Sequence, residues 1–191
     1  MDIVIIGNGD CFFPNSGKII NSFDRNIRFN YFVIDGYEEK VGNKIDIICV
    51  HNDVFSALDI NVFKHYMFCN EIWIPFIKES VKKDNNYNIL KDKIKTITNN
   101  DIQYFYDVIN EERIVRRYFS TGFWCIKMAM YFGYNNIYII GFDWSKTRHY
   151  FLDKRDQINH PWEYEKKQIY RLIYEKKIKM LMQNINIFLK I

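Results

Sequence analysis

Two histidines near the C-terminal end are the residues best suited to acid–base chemistry. His149 begins the tripeptide His149-Tyr150-Phe151, and His160 stands directly before Pro161. Pro161 predicts the start of a helix, because proline is favoured at the first helical position. The positive end of the helix dipole then favours a neutral imidazole at His160. A neutral imidazole can accept a proton, so His160 is a candidate general base.

The same positions have a structural interpretation, which is the more frequent one for either histidine taken alone. If Pro161 is the first helical residue, His160 is the N-cap, and Glu163 can bond back to its backbone N–H as in a capping box. Glu165 is five residues from His160 and does not share a helical face with it. A zinc site is not favoured, because the chain has no HExxH motif and no cysteines at ligand spacing from the histidines.

A glycine turn follows the first apolar run of the chain. The run Ile3-Val4-Ile5-Ile6 predicts a strand buried on both faces, and Gly7-Asn8-Gly9 ends it. Glycines at this point let a ligand approach the backbone, whose N–H groups can bind phosphate. Phe12 stands where the dinucleotide fingerprint has a small residue, and no GxxxxGK[ST] is present, which excludes a P-loop. A plain strand-end turn is an equally weighted alternative.

A second candidate phosphate site is a helix N-terminus at Ser120-Thr121-Gly122. The helix is predicted to run to about Phe132, with Gly133 as its left-handed C-cap. A Ser or Thr cap satisfies orphan backbone donors and needs no function, which is the more frequent case. In the functional interpretation, Gly122 leaves room for a ligand and the helix N-terminus faces an anion. Asp143 ends the next strand, where open α/β sheets place their ligands.

The elements that must position these residues alternate between strands and helices. Further strands are predicted around residues 27–32, 45–50, 72–76, 137–140 and 185–189, and helices at 101–117 and from Pro161 to about Met182. The Lys/Asn-rich region 78–103 is predicted to form a loop, an irregular helix or a lid. This alternation favours an α/β fold with a mainly parallel, twisted sheet flanked by helices.

Composition restricts the class of protein. The 191 residues are 48% hydrophobic and 26% charged, which suits one globular domain, and an aromatic content of 18% argues against disorder. A net charge of +4 is too small to indicate nucleic-acid binding. No apolar run reaches the ~20 residues of a membrane span, and the N-terminus lacks a signal-peptide pattern. We therefore expect a cytoplasmic protein whose four cysteines are reduced core thiols.

Taken together, four segments resemble the motifs of the sialyltransferases: the animal family and, more distantly, the bacterial CMP-sialic acid transferases. Residues 3–30, which run from IVIIGNGD to IRFN, resemble the long sialylmotif. Residues 118–144, YFSTGFWCIKMAMYFGYNNIYIIGFDW, resemble the small one. His149-Tyr150-Phe151 matches the third motif, and the spacing of His160 and Glu165 matches the very small motif. All four occur in family order.

The resemblance implies a single Rossmann-like catalytic domain over residues 1–191, a sialyltransferase-type variant of the GT-A fold. It implies transfer of a sialic acid from a CMP-sugar to a glycan or glycolipid hydroxyl, with inversion and without a metal or other cofactor. The chain indeed contains no DxD motif. Region 78–103 would then act as a lid or acceptor-binding segment that excludes water.

The resemblance also implies a role for each candidate residue. His160 would deprotonate the acceptor hydroxyl, and His149 and Tyr150 would bond the departing phosphate. The residues implied to bind the nucleotide sugar are Gly7, Asn8, Gly9, Asn30, Asn52, Ser120, Thr121, Gly122 and Asp143. The residues implied to support the site are Arg28, Glu163 and Glu165.

Several alternatives stay open at this point. CMP-Kdo is a second acidic donor that suits the same phosphate chemistry. A metal-dependent nucleotide phosphotransferase on a related fold, or a nucleotide-binding module without catalysis, is compatible with the fold alone.

The C-terminal helix also has two interpretations. Its basic residues are Lys166, Lys167, Arg171, Lys176, Lys177 and Lys179. They could lie on an anionic membrane at the inner surface, although a solvated face is more frequent. The apolar residues Ile169, Leu172, Ile173 and Leu181 are expected to face the core instead.

Overall fold

Seven parallel strands form one sheet in the described part of the chain. The computed structural model describes residues 1–58, 60–97, 119–144, 149–152 and 160–182. The strands are β1 (Asp2–Ile6), β2 (Arg25–Phe29), β3 (Ile47–Cys49), β4 (Glu71–Ile74), β5 (Ile94–Thr96), β6 (Asn136–Ile140) and β7 (Ile178–Met180). Their spatial order is β5-β4-β3-β2-β1-β6-β7. Every neighbouring pair is parallel, which confirms the predicted α/β architecture.

Helices connect the strands. They are α1 (Ser16–Asn21), α2 (Glu38–Val41), α3 (Asn52–Ser56), α4 (Ile60–Phe68), α5 (Glu79–Lys82), α6 (Asn85–Leu90), α7 (Thr121–Tyr131) and α8 (Trp162–Tyr174). A short 3-10 helix, Lys91–Lys93, precedes β5. Among the described residues, no helix combines the length and the apolar character that a membrane crossing needs.

Both faces of the sheet are covered, as the β-branched runs predict. Ile3 and Ile5 of β1 belong to a core that includes residues of α7 and α8. Val4 and Ile6, which alternate with them, pack with Ile20 of α1 in a separate cluster. Strand residues point alternately to opposite faces, so a strand covered on both sides is apolar at every position.

The strand ends depart from the predicted boundaries for local reasons. β2 ends at Phe29 instead of residue 32, because Asn30 turns the chain with a φ of +52°. β4 ends at Ile74, directly before Pro75, which has no N–H for a ladder bond. β6 agrees with the prediction to within one residue.

Two edge elements correct the sequence-based predictions. The described part of region 78–103 contains the two short helices α5 and α6, which agree with the irregular-helix alternative, and the edge strand β5, which was not predicted. Its role as a lid or acceptor-binding segment stays a prediction. The last helix ends at Tyr174 rather than Met182, since Lys176 takes a φ of +57° and the chain returns as β7. The predicted helix 101–117 and strand 185–189 lie outside the described residues.

The cysteines agree with the prediction in part. All four are free thiols, and Cys49, Cys69 and Cys125 are buried, as predicted. The prediction of a core position is wrong for Cys11, which is exposed.

The ends of β1 and β6 approach each other with no side chain between them. The Gly7 N–H donates to the Ile140 carbonyl at 2.7 Å, and the Gly9 N–H donates to the Gly141 carbonyl at 3.0 Å. A Cβ on Gly7 would lie 2.2 Å from the Gly141 oxygen, which is closer than any van der Waals contact. Gly141 itself has a φ of +75°. Glycine is therefore required on both sides of this contact.

Gly141→Ala and Gly133→Ala form a matched pair that tests this close approach. Both residues have positive φ, +75° and +81°, and each substitution adds strain of about 1–2 kcal/mol. Only at Gly141 would the new Cβ meet backbone, 2.6 Å from the Gly7 oxygen, whereas nothing lies within 4 Å at Gly133. We expect Gly141→Ala to lower the free energy of unfolding by about 1–3 kcal/mol more, measured by urea denaturation. Equal losses would contradict the account.

Candidate active site

A cavity of about 560 Å³ opens where the carboxyl ends of β1, β2 and β6 meet the start of α7. This is the edge at which open parallel sheets place their ligands. The residues of its wall that were nominated from the sequence are Asn8, Gly9, Asn30, Ser120, Thr121, Gly122, Asp143, His149, His160 and Glu165. The structure thus brings together residues from both ends of the chain.

His149 reaches the cavity because its segment pairs with the end of β1. Gly9 and His149 form an antiparallel bridge, and the Tyr150 N–H donates to the Asn8 carbonyl at 2.9 Å. The Leu152 N–H closes a turn on the His149 carbonyl at 3.0 Å. Backbone hydrogen bonds therefore position the segment that carries the His149 imidazole.

Asn8 and Asn30 are held firmly at the cavity wall. The Asn8 Nδ2 donates to the Tyr31 carbonyl at 2.9 Å, and the Asn8 side chain is almost fully buried. Asn30 Oδ1 accepts the His51 N–H at 3.1 Å, while its Nδ2 donates to Thr121 Oγ1 at 3.0 Å. The last bond ties the end of β2 to the first turn of α7.

The N-terminus of α7 faces the cavity and supplies backbone donors. Ser120 is its N-cap, as predicted, and its Oγ accepts the Phe123 N–H at 3.1 Å. A Cβ on Gly122 would lie 3.0 Å from the Phe142 ring and 3.1 Å from the Phe29 ring. The glycine thus lets two aromatic rings close on the helix start, where the helix dipole favours an anion.

Glu165 is buried and joins α8 to the cap of α7. Its Oε1 accepts the Ser120 N–H and its Oε2 accepts the Ser120 hydroxyl, both at 2.6 Å. Burial raises the pKa of this carboxyl to about 7, and the two Ser120 donors act in the opposite direction. The sequence separates these partners by 45 residues. Glu165 therefore fixes α8, whose N-terminus follows His160, against the helix that lines the cavity.

His160 lines the cavity but is not the helix N-cap. Pro161 occupies that position, and the His160 carbonyl accepts the Trp162 N–H at 2.8 Å. The predicted capping box is wrong, because α8 begins one residue later, and Glu163 is exposed. The ring of His160 packs edge-on against Trp162, with the centroids 4.8 Å apart.

Three nominated residues serve the scaffold near the cavity without lining it. Gly7 makes the close strand contact. Tyr150 is buried, and its hydroxyl donates to the Val33 carbonyl at 2.5 Å. Asn52 is buried as well, with its Nδ2 donating to the Phe76 carbonyl and its Oδ1 accepting the Lys78 N–H. In this structure neither Tyr150 nor Asn52 presents its polar atoms to the cavity, contrary to the roles implied for them.

Arg28 is also a scaffold residue. Its guanidinium is buried beneath α2 and donates to the carbonyls of Val41, Gly42 and Lys44. Burial lowers its pKa to about 10. Arg28 thus closes the C-terminal end of α2 and does not line the cavity.

Aromatic side chains complete the wall, and sequence reasoning did not nominate them. They are Phe29, Tyr31, Phe142, Trp144, Phe151 and Trp162. Each stands within two residues of a nominated residue, which is the signal that could have found them.

Few charges line the cavity. Asp143 and Glu165 contribute carboxyl groups, and the described lining residues include no lysine or arginine. An anionic ligand would thus be held by backbone N–H groups, amides and imidazoles. Within the described residues, no three His, Cys, Asp or Glu side chains are grouped so as to hold a metal ion.

The chain belongs to glycosyltransferase family 29, the sialyltransferases, whose family model matches residues 3–177. It is a glycosyltransferase of this type, which decides against the alternative of a nucleotide phosphotransferase. No curated protein sequence matches it significantly.

Three solved structures of sialyltransferases have a similar fold. A variant of CstII in complex with CMP has a TM-score of 0.68 at 18% identity, covering 94% of this chain and 79% of that one. CstII from Campylobacter jejuni with the substrate analogue CMP-3FNeuAc gives 0.60 at 18%, covering 94% and 80%. A mammalian sialyltransferase with Gal-beta-1-3GalNAc-ortho-nitrophenol gives 0.61 at 19%, covering 94% and 68%. The predicted Rossmann-like sialyltransferase fold is confirmed.

Glu165→Gln tests the buried carboxyl through the pH dependence of stability. In the unfolded chain this carboxyl titrates near its usual pKa of about 4.3, whereas in the folded protein it does so at about 7. Between these values the folded state binds a proton that the unfolded state lacks, so the free energy of unfolding falls as pH rises. Glutamine does not titrate. We expect Glu165→Gln to lose less stability than the unchanged protein between about pH 5 and about pH 8 in urea denaturation.

The control is Glu163→Gln, which changes an exposed carboxyl of the same helix. Its stability should follow that of the unchanged protein across the pH range. If Glu165→Gln also follows it, Glu165 does not hold a proton in the folded state.

Proposed function

We propose that this protein transfers a sialic acid from a CMP-activated donor to a hydroxyl of a glycan acceptor, with inversion at the anomeric carbon and without a metal. The observation that carries the proposal is the meeting of His149, His160, Asn8 and Asn30 with the N-terminus of α7 around one cavity. Family membership supports sialic acid over Kdo as the donor sugar.

The similar structures support the two substrates. CstII has been solved with CMP and with the analogue CMP-3FNeuAc. The mammalian sialyltransferase has been solved with Gal-beta-1-3GalNAc-ortho-nitrophenol, a disaccharide derivative with a galactose at its terminus. By this similarity, we take CMP-sialic acid as the donor and a galactose-terminated glycan as the acceptor.

The departing phosphate needs donors, because negative charge develops on it as its bond to the sugar breaks. In our proposal the His149 imidazole and the N–H groups of Thr121 and Gly122 bond this phosphate, since the third N–H of α7, that of Phe123, donates to Ser120 Oγ. Such pre-positioned donors are usually the largest single contribution to catalysis. Tyr150 acts indirectly. Its N–H donates to the Asn8 carbonyl and its hydroxyl donates to the Val33 carbonyl, and these two bonds hold the His149 segment in place.

His160 is the proposed general base. It takes the proton of the acceptor hydroxyl while the hydroxyl oxygen bonds to the anomeric carbon. The electron pair of the broken bond leaves with the CMP phosphate. One displacement of this kind inverts the configuration at the anomeric carbon. The aromatic wall of the cavity limits water, which would otherwise hydrolyse the donor.

His160→Ala is expected to lower the rate of transfer by about 10²–10⁴-fold, the usual contribution of a positioned base. CMP affinity should change little, because the base faces the acceptor. Steady-state kinetics and calorimetric titration with CMP separate the two effects. The matched control is His65→Ala, a histidine of α4 outside the cavity, which should transfer normally. An unchanged rate for His160→Ala would remove the base from the mechanism.

A donor screen in the presence of a chelator tests the reaction class. We expect CMP release from CMP-sialic acid with a galactose-terminated acceptor, at a rate that EDTA leaves unchanged. If CMP-Kdo is turned over faster than CMP-sialic acid, the donor sugar is Kdo, and the proposed chemistry at the phosphate is retained. Release from UDP-galactose alone, or full loss of activity in EDTA, would contradict the proposal.

A further inference from the structure

One row of side chains on α8 runs from the cavity to the open surface. Trp162, Lys166, Tyr170 and Tyr174 are spaced four residues apart, and residues at this spacing form a ridge along one side of a helix. Trp162, at the start of the row, lines the cavity. Tyr174, at its end, is 85% exposed. The row therefore connects the candidate active site with the protein surface.

Trp144 joins the row to the cavity a second time. Its ring centroid lies 6.0 Å from that of Tyr170 on α8 and 6.1 Å from that of Phe142. Trp144 and Phe142 both line the cavity. The aromatic wall thus continues without interruption onto the exposed side of α8.

The core does not account for these exposed rings. α8 buries Glu165, Ile169 and Leu172, whereas Tyr170 is 37% exposed and lies on the outer side with Tyr174. Aromatic rings that stay exposed next to a site are typical of binding surfaces, because they offer apolar area together with a polar edge.

The chemistry of this surface fits a chain of sugars. A pyranose ring has an apolar C–H face, which packs on aromatic rings, and hydroxyl groups around its edge. The Tyr170 and Tyr174 hydroxyls and the Lys166 ammonium can bond such hydroxyls. Successive members of the row advance by about 6 Å along the helix axis, close to the length of one sugar in a chain.

We propose that this row and Trp144 form an extended binding surface for an oligosaccharide acceptor, which we name the α8 track. The inference rests on the proposed glycosyl transfer and adds the acceptor class to it. The enzyme recognises several sugars beyond the one that receives the sialic acid, so its preferred acceptor is longer than a disaccharide.

A membrane fits this surface less well. A helix that lies in the membrane interface turns its apolar face to the lipid. In α8 that face, with Ile169 and Leu172, is buried in the protein core, as the sequence predicts. The positive charge at the C-terminal end of α8 is also partly neutralised, because the Glu175 carboxylate pairs with Arg171 at 2.9 Å and with Lys177 at 2.8 Å.

The test compares a galactose-terminated disaccharide with a hexasaccharide that has the same terminus. Binding to the full chain is measured by saturation-transfer NMR without donor, and kcat/KM is measured with CMP-sialic acid. The track predicts a preference of about tenfold for the hexasaccharide in both measurements. Tyr174→Ala should remove most of this preference, whereas Tyr174→Phe, which keeps the ring, should retain it. Phe68→Ala removes an 83% exposed ring on α4, outside the track, and should retain it as well.

Each contrary outcome has a distinct meaning. Equal binding of the two oligosaccharides, or a preference that survives Tyr174→Ala, would overturn the track. Loss of binding to phosphatidylserine vesicles in Tyr174→Ala, with the oligosaccharide preference intact, would overturn it in favour of a membrane. Absence of transfer from CMP-sialic acid would instead refute the proposed function, because the binding measurement does not depend on turnover.

Discussion

Backbone contact between the carboxyl ends of β1 and β6 is the constraint on which the candidate site depends. β1 and β6 are neighbouring, parallel strands, so their carboxyl ends lie at the same edge of the sheet. Gly7 and Gly141 allow the chains to touch there, and the pairing extends through Gly9 to His149. A side chain at either glycine would push apart the two segments that carry Asn8 and Asp143.

A second constraint joins the parts of the site that the sheet does not reach. Ser120 receives the Phe123 N–H on its hydroxyl oxygen and gives its own N–H and O–H to Glu165. One residue thus caps α7 and fastens α8, which begins just after His160. A buried carboxyl without these donors would be costly, so the pair holds the His160 segment in register with the helix start. The burial of Glu165 against Ser120 therefore has two consequences: it fixes α8 against α7, and it raises the pKa of the carboxyl.

The central strands and α7 could be predicted because their signals are local. Ile and Val runs ending in glycine indicate β1 and β6, and Ser120 indicates a helix start. The edge strands β5 and β7 could not be predicted, because short, half-exposed strands that contain lysine lack a continuous apolar run. In addition, no glycine marks the left-handed turn at Lys176 that precedes β7. The cavity partners were found through the ordered motifs. The orientation of Tyr150 could not be predicted in this way, because its hydroxyl bonds to the carbonyl of Val33, which is far away along the chain.

The central claim is that residues distant along the chain form one nucleotide-sugar site, and a crystal structure of the protein with CMP tests it most directly. The account predicts the phosphate within hydrogen-bond distance of His149 and the first turn of α7, with Asn8 and Asn30 contacting the nucleotide and His160 on the open side. A nucleotide bound elsewhere, or bound in this cavity with both imidazoles turned away from it, would contradict the account.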